Sequence, residues 1–222
     1  MRALLDLVFP AVCAGCGRAG GLLCPACGAE LAGPPGPRLP RPCPPGLPAP
    51  YAVATYDGSV RAMVVAYKDR DAVGLTPVLA EALRRSLDAA SAALSDAAPL
   101  VVAVPSTRSS RWRRGYDPVL RLAQAAGCRP ARGVLVHVRG VRDSATLSAG
   151  ERARNLAGAL AVPSARAGQV RGRTIVLLDD VVTTGATLAE AARALRAAGA
   201  TVSSAAVIAA TRRRGPGADW SE

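Results

Sequence analysis

From residue 100 onward, short and almost wholly apolar runs alternate with stretches of helical periodicity. LVVAV at 100–104, VLVHV at 134–138, TIVLL at 174–178 and TVSSAAVIAA at 201–210 read as strands, and 117–126 and 185–198 read as helices, the latter alanine-rich and closed by Gly199. Strands without polar alternation are buried on both faces, which is the signature of a parallel sheet with helical crossovers. Upstream, YAVATY at 51–56 alternates like a strand and SVRAMVVAYKDR at 59–70 reads as a short helix. A second helix is predicted over 76–94, with Thr76-Pro77 as cap and first turn and Val78, Leu79, Leu83 and Leu87 recurring on one side. Residues 33–50 are so rich in proline and glycine that neither helix nor sheet is expected to continue through them. They predict a linker or an extended arm.

Ligands in parallel sheets bind at the carboxyl ends of the strands, so the segments after Val104, Val138 and Leu178 are the candidates. The run IVLLDDVVTTGATLAEA is the most informative of them. It ends an apolar strand with two carboxylates, Asp179 and Asp180, passes through Val181, Val182, Thr183, Thr184, Gly185, Ala186 and Thr187, and enters a helix. A helix N-terminus offers unpaired N–H groups to a phosphate, glycine lets the phosphate approach, and threonine hydroxyls add donors. Carboxylates would repel that phosphate and suit neutral hydroxyls, so a sugar phosphate matches both halves. A Walker A loop is excluded, because the single lysine, Lys68, lies in AYKDR.

This segment resembles the binding motif for phosphoribosyl pyrophosphate (PRPP) of type I phosphoribosyltransferases. The resemblance implies a type I phosphoribosyltransferase-like α/β fold, a parallel sheet flanked by helices. It also implies that the two acids hold the ribose hydroxyls, that the 183–187 turn wraps the 5-phosphate and that Mg²⁺ accompanies the ligand. VAVPSTRSSRWRRGYD at 102–117 and RDSATLSAGERARNLAGAL at 142–160 further resemble blocks of the ComF competence family. Asp117 and Ser144 depart from that pattern, where Asn is common and Gln frequent. Ser106, Thr107, Arg108 and Arg114 become candidates for the pyrophosphate or another anion. The family likeness implies a role in DNA uptake, with single-stranded DNA and the uptake machinery as partners. An active transferase on an unidentified nitrogenous acceptor and a PRPP sensor without turnover remain alternatives. No acceptor pocket, general base or other catalytic residue is legible.

Charge sharpens the picture. Of the 28 basic side chains 19 fall in residues 101–222, against eight of the 16 acidic ones, so +11 of the net charge of +12 belongs to the second half. Such a field suits nucleic acid or a phosphorylated small molecule. Arg111, Trp112, Arg113 and Tyr116 mix cations with aromatics in a predicted loop and are candidates for stacking on and gripping single-stranded DNA. The same loop suits pyrophosphate equally well. Lys68 matches a lysine of the family pattern, and reaching an anion and simple surface placement are both open. His137, the sole histidine, is expected to be structural.

Cys13-x-x-Cys16 and Cys24-x-x-Cys27 pair two thiol units across a short loop, a spacing that favours one structural Zn²⁺ over disulfides or a redox dithiol. Cys43, followed by Pro-Pro-Gly, supplies no second pair. The predicted organisation is therefore a cysteine-rich zinc module and proline arm at 1–50, a phosphoribosyltransferase-like domain at 51–214 and a tail at 215–222. No apolar run reaches the ~18–20 residues of a membrane span. MRALLDLVF, interrupted by Asp6, reads as mature sequence, and a cytoplasmic protein without membrane insertion is expected.

Overall fold

The computed structural model describes residues 12–94, 98–140 and 149–211, and at 108, 109, 111, 149, 152 and 153 only the backbone. In chain order its elements are α1 (Pro25–Ala29), β1 (Gly36–Pro37), β2 (Ala49–Ala52), β3 (Ala54–Thr55), α2 (Gly58–Asp69) and α3 (Thr76–Ala92). Then follow β4 (Leu100–Ala103), α4 (Arg108–Arg114), α5 (Pro118–Ala125), β5 (Val136–His137), α6 (Ala149–Leu156) and β6 (Leu160–Ala161). The last are β7 (Thr174–Leu178), β8 (Val181–Val182), α7 (Ala186–Ala197), β9 (Thr201–Ala206) and β10 (Ala209–Ala210).

The main sheet runs β1-β2-β9-β7-β4, parallel throughout except for β1. Strand β7 lies between β9 and β4, and its alternate side chains serve two cores. Val176 and Leu178 pack with Met63 and Tyr67 of α2, Leu79 and Leu83 of α3 and Leu122 of α5. Ile175 and Leu177 pack on the other face with Leu188, Ala191 and Leu195 of α7. Period-two alternation in a strand that is apolar at every inner position thus explains helices on both faces. A smaller parallel sheet, β3-β10-β8, stands beyond the carboxyl ends. Among the described residues no helix is long and apolar enough to cross a membrane.

Five expectations are corrected. The proline-rich arm contributes β1 and the first residues of β2, because β1 is an edge strand, where proline's missing N–H costs no ladder bond. The strand at 51–56 is two strands broken at Val53, and the one at 201–210 is broken at Val207-Ile208. At that break the Val207 N–H donates to Tyr51 O and the Ile208 N–H to Asp180 O, so the chain changes sheets. The run at 134–138 does not join the main sheet: Val136 and His137 pair antiparallel with Leu160 and Ala161. Apolar periodicity reports burial but not the identity of the partner strand. Finally, the basic segment at 108–114 is a helix, not a loop.

The cysteine-rich segment does not stand apart. Cys13, Cys27 and Leu31 share the core of α2 and α3. Arg196 of α7 donates to Gly46 O of the arm at 2.5 Å.

Candidate functional site

Asp179 and Asp180 follow β7 directly, and their geometry is set by backbone bonds to their own neighbours. Asp179 Oδ1 accepts from the Asp180 N–H at 2.8 Å and Asp180 Oδ1 from the Val181 N–H at 2.7 Å. The small sheet then locks β8 through its pairing with β10, and Thr211 N donates to Val182 O at 2.8 Å. The turn that follows reverses at Gly185, whose φ of +75° lies in the left-handed region, and α7 begins at Ala186. Thr184 Oγ1 accepts from Ala186 N at 3.4 Å.

A Cβ at Gly185 would stand 2.9 Å and 3.0 Å from the methyls of Leu47 and 3.2 Å from Pro44, so the proline arm backs this turn closely. Gly185→Ala is expected to destabilise the protein by about 1–3 kcal/mol, from left-handed strain plus crowding. Denaturant unfolding checks it; unchanged stability would show that the arm moves aside freely.

The acids face a cavity of about 1140 Å³ lined by Val181, Thr183 and Thr187 on one side and by Pro105, Ser106, Thr107, Arg113, Arg114 and Tyr116 on another. Of the residues singled out from the sequence, Val182, Thr184, Gly185 and Ala186 support the turn behind this wall. Trp112 points outward with 93% of its surface exposed, whereas the Arg114 side chain is only 12% exposed and pairs with Asp69 at 3.2 Å. Arg108 and Arg111 are placed on α4 by their backbone alone, and Ser144 lies outside the described residues.

Asp117, His137 and Lys68 are singled out in the sequence without an assigned contact at the site. Asp117 caps α5 through Val119 N and Leu120 N, and its other oxygen accepts from Ser106 N at 3.4 Å, tying the 105–107 loop to that helix. Aspartate performs this capping as asparagine would. His137 Nε2 lies 3.0 Å from Pro105 O, so the histidine steadies the same loop from the other side. Lys68 Nζ pairs with Asp180 Oδ2 at 2.5 Å, and this contact with the acid raises the lysine to about 12. Desolvation first, then the adjacent charge of Asp180, pushes Asp179 up to about 8.

Cys13, Cys16, Cys24 and Cys27 bring their sulfurs within 4.8 Å of one another. A tetrahedral zinc with Zn–S bonds of about 2.3 Å separates its sulfurs by about 3.8 Å; Cys16 and Cys24 stand 3.7 Å apart. Cys24 N donates to Cys13 Sγ at 3.3 Å, and backbone amides, those of Cys16 and Cys24 foremost, lower the Cys13 thiol to about 6. Burial pushes Cys27 up to about 12. A Cβ at Gly15 would fall 2.7 Å from Cys27 Sγ, so the knuckle admits only glycine at that place. Four free thiols in this arrangement fit a metal ion such as zinc.

The family model of the phosphoribosyl transferase domain matches residues 113–220. The adenine phosphoribosyltransferase of Mycobacterium avium (strain 104) is 64% identical over 39 residues, which cover 18% of this chain and 22% of that protein. The DNA utilization protein YhgH of Escherichia coli (strain K12) is 37% identical over 106 residues, covering 45% of this chain and 44% of that protein, and the YhgH of Salmonella typhimurium is 38% identical over the same length. The chain spans less than half the length of these curated relatives. A solved structure titled as the allosteric regulatory enzyme of purine biosynthesis aligns with 61% of this chain and 26% of its own, at 24% identity and a TM-score of 0.36.

The parallel sheet, the acids at the end of β7 and the match over residues 113–220 define a type I phosphoribosyltransferase-like fold. Over 106 residues, just under half of its length, the chain is homologous to YhgH, and it carries a four-cysteine cluster at residues 13–27.

Proposed function

We propose that this protein binds PRPP with Mg²⁺ in the cavity at the end of β7 and acts in the cytoplasm in DNA utilization, handling single-stranded DNA. One observation carries the ligand: two carboxylates suited to vicinal hydroxyls and a threonine-glycine turn suited to a phosphate line one cavity, opposite Ser106 and Thr107 and the helical Arg114. Asp179 and Asp180 take the ribose hydroxyls, Thr183 to Thr187 the 5-phosphate, and Ser106, Thr107 and Arg114 the pyrophosphate. Mg²⁺ would be held through the ligand's own oxygens beside these groups and would supply charge neutralisation to the pyrophosphate. The four cysteines hold structural Zn²⁺.

Calorimetric titration with PRPP and Mg²⁺, run beside ribose 5-phosphate, tests the site. Binding of PRPP well above ribose 5-phosphate is expected, and failure to bind either removes the reading. Pyrophosphate release in the presence of candidate nitrogenous bases then separates a transferase from a sensor that binds without turnover.

The DNA role rests on the homology to YhgH, on the positive charge of the second half and on the outward face of α4. Trp112 is 93% exposed there and stands next to the exposed Arg113. A base stacked on an aromatic side chain contributes about 1–3 kcal/mol, and each phosphate contact adds about 0.7 to the salt slope for single strands. Trp112→Ala is therefore expected to weaken binding of an oligothymidylate by about fivefold or more while leaving PRPP affinity unchanged. Equal DNA binding by parent and variant in fluorescence titrations at several salt concentrations would take α4 out of the DNA path.

A further inference from the structure

Three consecutive residues at the end of α2 each grip a different part of the cavity. The Tyr67 carbonyl accepts from Tyr116 Oη at 3.1 Å, Lys68 pairs with Asp180 and Asp69 pairs with Arg114. Lys68 and Arg114 both line the cavity, and the carboxylate that neutralises each belongs to the chain itself. Arg114 Nε is buried without a hydrogen-bond partner, which marks an unfilled donor at the cavity wall.

The bonds of Asp180 set what an incoming sugar hydroxyl would meet. Its Oδ1 accepts from the Val181 N–H and its Oδ2 is held by Lys68, so a ribose hydroxyl must share or take the oxygen that the ammonium occupies. Sharing weakens the hold on Lys68. The same ligand brings a polyanionic pyrophosphate into the cavity that this lysine lines, and an ammonium in a desolvated site follows the larger negative charge.

We propose that Lys68 is a pyrophosphate-binding residue held in reserve on Asp180, and that occupation of Asp180 by ribose hydroxyls transfers its ammonium to the ligand. This rests on the PRPP reading of the cavity. Lysine suits the task better than arginine, because a compact charge on a flexible stem changes partners without a bidentate geometry to break. The empty site keeps Lys68 neutralised, and the ligand must present both a sugar and a polyphosphate to draw it away. A simple phosphate sugar engages only half of the exchange.

Calorimetry with Lys68→Met, titrated separately with PRPP and with ribose 5-phosphate in the presence of Mg²⁺, tests this. PRPP affinity should fall about tenfold or more, the loss of one charge-assisted contact. Ribose 5-phosphate affinity should fall by no more than about twofold, since that ligand competes with the lysine for Asp180 but brings no pyrophosphate to bind it. Lys68→Gln, whose amide still donates to Asp180 but carries no charge, should show the same split, and thermal unfolding of both variants verifies that they fold. Equal weakening of both ligands would overturn the proposal, leaving Lys68 as a counter-ion of Asp180 alone, and so would unchanged PRPP binding. A parent protein that binds neither ligand would instead overturn the underlying site assignment.

Discussion

Asp179→Asn combined with Asp180→Asn is expected to reduce PRPP affinity by about 100-fold or more while the protein remains folded. Hydrogen bonds to charged groups contribute about 1.5–3 kcal/mol each, and two are removed together. The fold survives because β7 is held by its ladder and its two cores, not by the acids after it. Asp179 gives the prediction a pH signature. Its carboxyl is raised to about 8 in the folded chain, above the unfolded value of about 3.9. The folded state therefore binds the proton more tightly, and stability falls as pH rises from ~4 to ~8. Asp179→Asn alone should flatten that slope and gain on the parent above pH ~8. Ribose hydroxyls need the ionised acid as acceptor, so parent affinity for PRPP should climb as pH approaches ~8, and the Asn variant should lose that climb. A double variant that binds PRPP as well as the parent would remove the acids from the sugar site.

Replacing Cys13 and Cys24 together by serine is expected to abolish metal content, from about one zinc per chain, and to lower the melting temperature by ~6–12 °C. The size follows from packing. Cys13 and Cys27 are buried in the core that includes Val60 and Met63 of α2, so loosening the thiol cluster leaves a defect in the main domain and not in a detached module. A loss of about 3 kcal/mol or more is the expected scale for a disrupted core with unsatisfied polar groups. Elemental analysis and calorimetric melting read both effects, and a chelator acting on the parent should reproduce the melting shift. Zinc content unaltered in the variant would show that the metal sits elsewhere.

Trp112 and Arg114 illustrate how function divides on a short helix. Read as a string, Arg-Trp-Arg-Arg is one basic-aromatic cluster, and charge cannot say whether it serves a small anion or DNA. Folding into α4 turns Arg114 inward, to Asp69 and the cavity, and leaves Trp112 outside. One segment therefore has two faces with two candidate ligands, and the substitutions proposed for each can be read separately.

What the sequence determined by itself is everything that depends on neighbours in the chain. The strand at 174–178, the acids after it, the glycine that must adopt positive φ and the helix behind it are contiguous, and each is set by local backbone preference and apolar periodicity. The two Cys-x-x-Cys units are legible for the same reason, since spacing alone limits which sulfurs can meet. Only the tertiary structure decided what depends on distant segments. The partner of Val136 and His137, the sheet switch at Val207-Ile208 and the seat of Pro44 and Leu47 against Gly185 are choices among many buried arrangements with similar local energies. Lys68 lies more than a hundred positions from Asp180, and no local preference links them. Their meeting follows from α2 packing its apolar face against β7, which carries the lysine at the end of the helix to the carboxylates at the end of the strand.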